Sequence, residues 1–292
     1  MDYIDIHGNY YIVAEDVYQQ ACLFMSYNKT PYFVTVMSGF SHENLDRTPI
    51  IIHPTLPDVI LLNIHEFGDD FNTYISKNNG KTFDMIKYED KSKGCNKGLC
   101  SAKLNFEGIH LVHDAFTREW IIKLTSIDDR FQYIVTFDAG ETWRVVPFAN
   151  YHVNILNGGG IIMSIDRTNN KMVYSFDEGK IYYHMPIFQK DDIIFSSMII
   201  GTADNERLII YGRNSNNTVL KITYVDFTTL FKKPCQHDDY SPWSFSRSRG
   251  NCYNGQEVVY WKKNVNAMCI DNRTATMKNS KTCPCYLQDF QW

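Results

Sequence analysis

Three stretches of the 292-residue chain share one spacing of groups able to do chemistry: a hydroxyl, an Asx two positions on, a glycine two further, then a threonine and an aromatic. They are Ser76, Asn78, Gly80, Thr82, Phe83; Thr136, Asp138, Gly140, Thr142, Trp143; and Ser175, Asp177, Gly179, Tyr182, with Ile181 in the threonine position. Asp138 and Asp177 could supply oxygen ligands to calcium or to a substrate. The same spacing suits a tight turn between strands, in which the Asx side chain accepts from nearby backbone N–H groups and glycine takes a positive φ. The hydroxyls then cap backbone groups, and the aromatic starts the next strand and buries its ring. The Asx mechanism favours the structural clip over the ligand site.

Other candidate groups are weaker. His110 and His113 lie three apart, so in a strand they point to opposite faces and do not chelate one ion. Gly158, Gly159 and Gly160 resemble a phosphate loop, but no Lys-Ser/Thr follows, and the glycines read as a hairpin turn. Arg118, Arg130 and Arg144 are too dispersed to clamp a carboxylate, and no acid or nucleophile pair accompanies them. Cys95 and Cys100 pinch a lysine-rich loop, where a local disulfide is favoured over a metal site that would need two more ligands. Cys22 lies in an apolar strand and reads as a free buried thiol.

The elements that must carry these turns read as strands. The chain has 44% hydrophobic and 14% aromatic residues, enough for a core, with the β-branched and aromatic bias of sheets. Strands are expected over 9–15, 22–25, 32–36, 58–64, 72–75, 120–124, 133–135, 161–165, 171–174, 193–200, 207–211 and 219–225. The joint at 28–31 occupies the place of a clip turn but has no glycine, so it is a degenerate copy. The Asx positions 78, 138 and 177 are 60 and 39 residues apart, which fits one four-stranded unit per repeat. Residues 1 to about 230 then form about four such units.

A formal charge of −4 and a pI near 6.1 give no basic footprint for nucleic acid or anionic membrane. There is no run of eighteen apolar residues, and the N-terminus lacks a signal-peptide pattern. Five of the eight cysteines (235, 252, 269, 283 and 285) fall in the C-terminal stretch. Sequons at Asn28, Asn216 and Asn272 add to a lumenal or extracellular composition. An exported composition without a signal peptide suggests that the parent protein begins further upstream.

The repeated turn resembles the Asp box of β-propeller proteins, among them sialidases, other glycosidases and sortilin-type sorting receptors. From Cys235 the order Cys235, Asp239-Tyr240, Trp243, Cys252, Gly255, Tyr260, Lys262-Lys263, Cys269, Cys283, Cys285, Asp289-Phe290 is more specific. It resembles the cysteine-rich module that follows the ten-bladed propeller of the sortilin family, which carries the vacuolar protein sorting receptor domain. The resemblance implies an all-β fold: a partial β-propeller of about four Asp-box blades over residues 1–232, then a small disulfide-rich module, its first part only, over 233–292. It also implies disulfides Cys95–Cys100, Cys235–Cys269 and Cys252–Cys283, with Cys285 pairing beyond residue 292.

Two positions depart from the family pattern, Ile181 and Trp292, where cysteines are expected. Roughly six preceding blades, which carry the main peptide contacts in the family, are not in this chain. The function implied is that of a non-enzymatic receptor fragment for peptide or propeptide cargo, bound through the complete propeller. No catalytic, metal or cofactor residue is expected, and membrane attachment would come through a segment outside these residues. A sialidase-like glycosidase and a secreted, truncated non-receptor isoform are the alternatives. Residues 1–292 alone are expected to leave an apolar blade face open and to associate or misfold.

Overall fold

The computed structural model describes residues 2–18, 20–40, 50–67, 70–90, 95, 99–106, 115–127, 132–148, 152–201, 206–231, 233–247, 250–273 and 275–285. His110, His113, Arg130 and Trp292 lie outside them. Among the described residues, twenty-five strands form six sheets, joined mostly in simple up-and-down order.

The first sheet comprises β1 (Asp2–Ile6), β2 (Asn9–Glu15), β3 (Ala21–Ser26) and β4 (Val34–Phe40). The second comprises β5 (Ile50–Ile52), β6 (Ile60–Phe67), β7 (Asp70–Ser76) and β8 (Asp84–Met85). The third contains β9 (Lys87–Glu89), β10 (Leu99–Ser101), β11 (Leu104–Asn105), β12 (Ile122–Ser126), β13 (Tyr133–Thr136) and β14 (Trp143–Val145). In it the β9–β10 hairpin joins the edge of a four-stranded meander through a parallel β9–β14 pair. The fourth comprises β15 (Asn154–Leu156), β16 (Ile161–Asp166), β17 (Lys171–Ser175) and β18 (Tyr183–Pro186). The fifth has three strands, β19 (Ile193–Ile199), β20 (Arg207–Arg213) and β21 (Leu220–Asp226). The last sheet pairs β22 (Tyr240–Trp243), β23 (Cys252–Tyr253), β24 (Gln256–Lys263) and β25 (Lys278–Thr282).

Successive residues of a strand point to opposite faces, and here both faces of the inner sheets are apolar. On β6, Ile60 and Leu62 join a core with Tyr11, Leu23 and Met25 of the first sheet. Their neighbour Leu61 faces the other way, into a core with Ile122 and Ile134 of the third sheet. On β16, Ile162 belongs to that central core, whereas Ile161, Met163 and Ile165 pack with Ile194, Leu208 and Ile210 of the fifth sheet. Sheets are therefore stacked face to face in chain order, the second and fourth each serving two cores. This is the arrangement of consecutive propeller blades.

The predicted strands are present, whereas β1, β5, the short strands β10, β11, β15 and β18 and the four strands of the last sheet were not anticipated. Strand β1 opens the chain with alternating polar residues, and β5 is only three residues long. Both give weak periodic signals over so few residues. Counting by Asp boxes numbers the sheets with a complete or degenerate box. The three-stranded fifth sheet has a different turn, described below.

Candidate interaction site

The three Asp boxes close the same hairpins between the third and fourth meander strands. In the central one the Thr136 hydroxyl donates to Asp138 Oδ1 at 2.6 Å and accepts from the N–H groups of Asp138 and Gly140 at 3.3 and 2.9 Å. Asp138 Oδ1 also accepts from the Thr142 N–H at 2.8 Å, and Oδ2 accepts from the Thr142 hydroxyl at 2.6 Å. Trp143 Nε1 donates to the Gly140 carbonyl at 3.2 Å. Both carboxylate oxygens of Asp138 thus have partners within the turn.

Ser76, Asn78 and Thr82 repeat the pattern, the Asn78 amide donating to the Thr82 hydroxyl at 2.9 Å. Ser175 and Asp177 repeat it through the N–H groups of Gly179, Lys180 and Ile181. Ile181, without a hydroxyl to contribute, is exposed. Phe83 and Tyr182 pack against the cores that their sheets share with the preceding ones.

Each box holds two left-handed residues, not one. Asn79, Ala139 and Glu178 have φ of 56°, 56° and 58°, directly before glycines at 85°, 95° and 80°. Space also demands glycine at the second position. A Cβ on Gly140 would lie 2.4 Å from Ile75 Cδ1, and one on Gly80 would lie 2.1 Å from Val36 Cγ1 of the first sheet. The box is at once a turn and a seam between sheets.

In the degenerate copy, the left-handed pair is Asn28 and Lys29, with the Ser26 hydroxyl on the Thr30 carbonyl. The fifth sheet keeps only the Asx half. Asn214 Oδ1 accepts from the N–H groups of Thr218 and Val219 at 2.9 and 3.0 Å, while its amide donates to the Thr218 hydroxyl at 2.9 Å. The asparagine-to-threonine spacing of four was the available signal, obscured because no glycine stands between them.

The glycine hairpin carries a second role that local pattern did not reveal. Asn157, fully buried between β15 and β16, donates to the Cys269 carbonyl at 3.0 Å and accepts from the Asp271 N–H at 2.6 Å. A Cβ on Gly158 would meet Asp271 Oδ2 at 2.7 Å, so glycine there admits the carboxylate. Asp271 is 1% exposed. Burial alone would raise its pKa, but Arg273 overrides this with bonds of 2.9 and 2.8 Å, and the carboxyl is held below its ordinary range. Tyr240 donates its hydroxyl to the same carboxylate at 3.0 Å and lies under the guanidinium, 3.7 Å from its ring centroid.

Further contacts tie the last sheet to three earlier ones. Lys262 reaches Glu178 at 2.7 Å and the Phe137 carbonyl at 2.6 Å. Thr276 donates to Glu119 at 2.6 Å, and Arg118 donates to the Arg273 carbonyl at 3.1 Å. Arg247 pairs with the fully buried Asp58 at the head of the second sheet, its guanidinium lying over Phe245 and Tyr253. Burial, partly offset by Arg247, raises the Asp58 pKa.

Between the hairpin and the last sheet lies a small cleft whose walls include Trp120, Phe137, Phe176 and Lys263. Lys263 is 8% exposed, and desolvation pulls its pKa down to about 8 despite Asp271 and Glu206 nearby.

Disulfides join Cys95 to Cys100, Cys235 to Cys269 and Cys252 to Cys283. Cys22 is free and buried; Cys285 is free and exposed. Among the described residues, one group of side chains has metal-ligand spacing, Cys235, Asp239 and Cys269, and its two sulfurs are already joined to each other. Arg144 stands on β14 opposite Val135, away from Arg118, which is committed to the Arg273 carbonyl.

Stacked blades closed by Asp boxes, with a disulfide-bonded sheet docked on them through buried ion pairs, define a propeller-type all-β protein with a cysteine-rich appendage. Residues 201–291 match the family described as "Sortilin, neurotensin receptor 3, C-terminal". The human VPS10 domain-containing receptor SorCS1 is 26% identical over 168 residues, covering 56% of this chain and 14% of that protein. Human SorCS3 is 22% identical over 92% of this chain and 24% of its own length. The Talaromyces stipitatus vacuolar protein sorting/targeting protein 10 is 23% identical over 99% of this chain and 21% of its own.

The chain is thus similar to the C-terminal region of the sortilin, or VPS10-domain, receptors. It spans less than a quarter of the length of the three relatives described. Among solved structures, "YCF48 bound to D1 peptide" has a TM-score of 0.31 at 7% identity, over 95% of this chain and 83% of that one.

Proposed function

We propose that this chain forms the C-terminal part of a sorting-receptor ectodomain, which binds peptide or propeptide cargo when its propeller is complete and carries it between Golgi, endosomes and the cell surface. The observation that supports this reading is the docked cysteine-rich sheet, held on the blades by Asn157, Arg247 and Lys262. The domain boundary is placed near 232, and the role is one of binding, with extended peptides meeting strand edges and pockets. No helix among the described residues is long and apolar enough to cross a membrane.

The test is a chimera in which these 292 residues replace the matching segment of human SorCS1. Correct folding, export from the endoplasmic reticulum and retained peptide binding are the expected results. A chimera that exports normally but binds no peptide, while the parent does, overturns the cargo assignment. Turnover of a sialoside by the purified chain would establish the glycosidase reading instead.

Asn28, Asn216 and Asn272 are exposed and are proposed to carry N-linked glycans. Each Asn→Gln change should then remove one step of gel mobility after secretory expression. Unchanged mobility for all three would contradict a lumenal location.

A further inference from the structure

We propose that Asn254 is a site of spontaneous deamidation, where the tip of the β23–β24 hairpin converts with time from asparagine to isoaspartate and loosens the hold of the last sheet on the second. Asparagine is a chemically labile residue, and most so before glycine, because no side chain shields the glycine nitrogen that attacks the amide. The chain has three such pairs, Asn79-Gly80, Asn157-Gly158 and Asn254-Gly255. The fold treats them differently.

At the first two pairs the asparagine is buried and its amide is committed. Asn79 Oδ1 accepts from the Tyr11 hydroxyl at 2.9 Å, and its amide nitrogen donates to Met25 Sδ at 3.3 Å. The attacking group is engaged as well, the Gly80 N–H donating to the Ser76 hydroxyl at 2.7 Å. Asn157 is held between the Cys269 carbonyl and the Asp271 N–H. Asn254 and Gly255 instead fill the two central positions of a hairpin turn, with φ of 48° and 75° and Tyr253 opposite Gln256. Such a turn leaves the N–H of its second central residue outside the ladder. Among the described residues neither that N–H nor the exposed Asn254 amide has a hydrogen-bond partner. The strand that must part for the turn to open, β23, is only Cys252–Tyr253.

In the reaction the Gly255 nitrogen attacks Asn254 Cγ. A C–N bond forms, the glycine N–H proton passes to solvent, and the side-chain nitrogen leaves as ammonia, giving a cyclic imide. One water then opens the ring. Cleavage on the main-chain side leaves isoaspartate and cleavage on the side-chain side leaves aspartate, so the net change is water taken up and ammonia released. Isoaspartate lengthens the main chain by its β-carbon, which a two-residue turn of fixed left-handed geometry does not accommodate. The arm that ends at this turn holds Arg247. The Asn251 carbonyl accepts from Arg247 Nη1 at 3.3 Å, and the Tyr253 ring centroid lies 5.2 Å from the guanidinium. Arg247 in turn pairs with the buried Asp58. A turn that no longer closes slackens the arm, and with it the ion pair to the second sheet.

The test is to age the purified chain in mildly alkaline buffer and map its peptides by mass spectrometry, with methylation by an isoaspartyl methyltransferase as the second readout. The amide-to-acid mass shift and methyl uptake should accumulate at Asn254 well ahead of Asn79 and Asn157, whereas in urea all three should convert together. Asn254→Gly keeps the turn, since two glycines suit it, and should abolish both signals there. The isoaspartate form, separated by ion exchange, should exchange its amides faster than fresh protein at 53–59 and in the last sheet, while aged Asn254→Gly should match the fresh chain. Equal conversion of the three sites in the folded chain overturns the proposal, as does an Asn254 that converts only in urea. So does an isoaspartate form whose exchange at 53–59 is unchanged.

Discussion

At the scale of single residues, the Asp boxes are polar networks whose members satisfy one another. Asp138→Ala removes the acceptor for the Thr142 N–H and both hydroxyls and should cost about 1–2 kcal/mol of stability. Asp138→Asn should cost less, because Asn78 already performs the same role. Chemical denaturation of the two variants makes the comparison.

Two buried groups set the pH response. His53 is fully buried, and desolvation, with the nearby His7, lowers its pKa from 6.5 to about 3. Its Nδ1 accepts from the N–H groups of Thr55 and Leu56 at 3.2 and 3.1 Å, which fixes the neutral ring. Because the unfolded chain takes up the proton first, stability contributed by neutral His53 is full above pH 6.5 and falls progressively toward about pH 3. His53→Gln should flatten that part of a plot of melting temperature against pH. Lys263 acts at the other end. Its folded pKa of about 8 lies below the unfolded 10.5, so stability rises as pH climbs between them, and Lys263→Met should abolish the rise.

At the scale of elements, the strands and box turns were legible because their causes are local. Alternation over five or more residues marks a strand, and hydroxyl, Asx and glycine at fixed spacing mark a turn. The left-handed residues Ala139 and Glu178 were not legible, since neither type favours that conformation and only the following glycine betrays it. Gly140→Ala tests the close approach directly. With φ at 95° and Ile75 Cδ1 at 2.4 Å from the new methyl, it should destabilise by about 1–3 kcal/mol in thermal melts. Asn157, Arg247 and Lys262 gave no local signal at all: their partners are Asp271, Asp58 and Glu178, between 84 and 189 residues away in sequence.

Removing one partner of such a pair is expected to be costly. Arg247→Ala leaves Asp58 buried without its cation and should lose about 3–5 kcal/mol, whereas Arg247→Met with Asp58→Asn should lose less. Hydrogen exchange would locate the loss at 53–59 and in the last sheet.

At the scale of the whole molecule, the fold is a series of sheets whose cores are linked through the second and fourth sheets, each of which belongs to two. A defect in the second or third sheet should therefore spread to both neighbours, while one in the fifth should stay near the fourth. Reducing the disulfides addresses a different layer. Cys235–Cys269 and Cys252–Cys283 enclose loops of 34 and 31 residues, and each should contribute about 2–4 kcal/mol, so reduction should melt the last sheet before the blades. Amide exchange with and without reductant would reveal that order.

The last sheet follows the fifth in the chain but hangs on the second through Arg247, the third through Lys262 and Thr276, and the fourth through Asp271. A tensile force applied at the C-terminal end of the chain would therefore not peel the stack open from its terminal sheet. It would be divided among three sheets at once and would load their anchors in parallel, as a harness distributes a pull that a single seam would not bear.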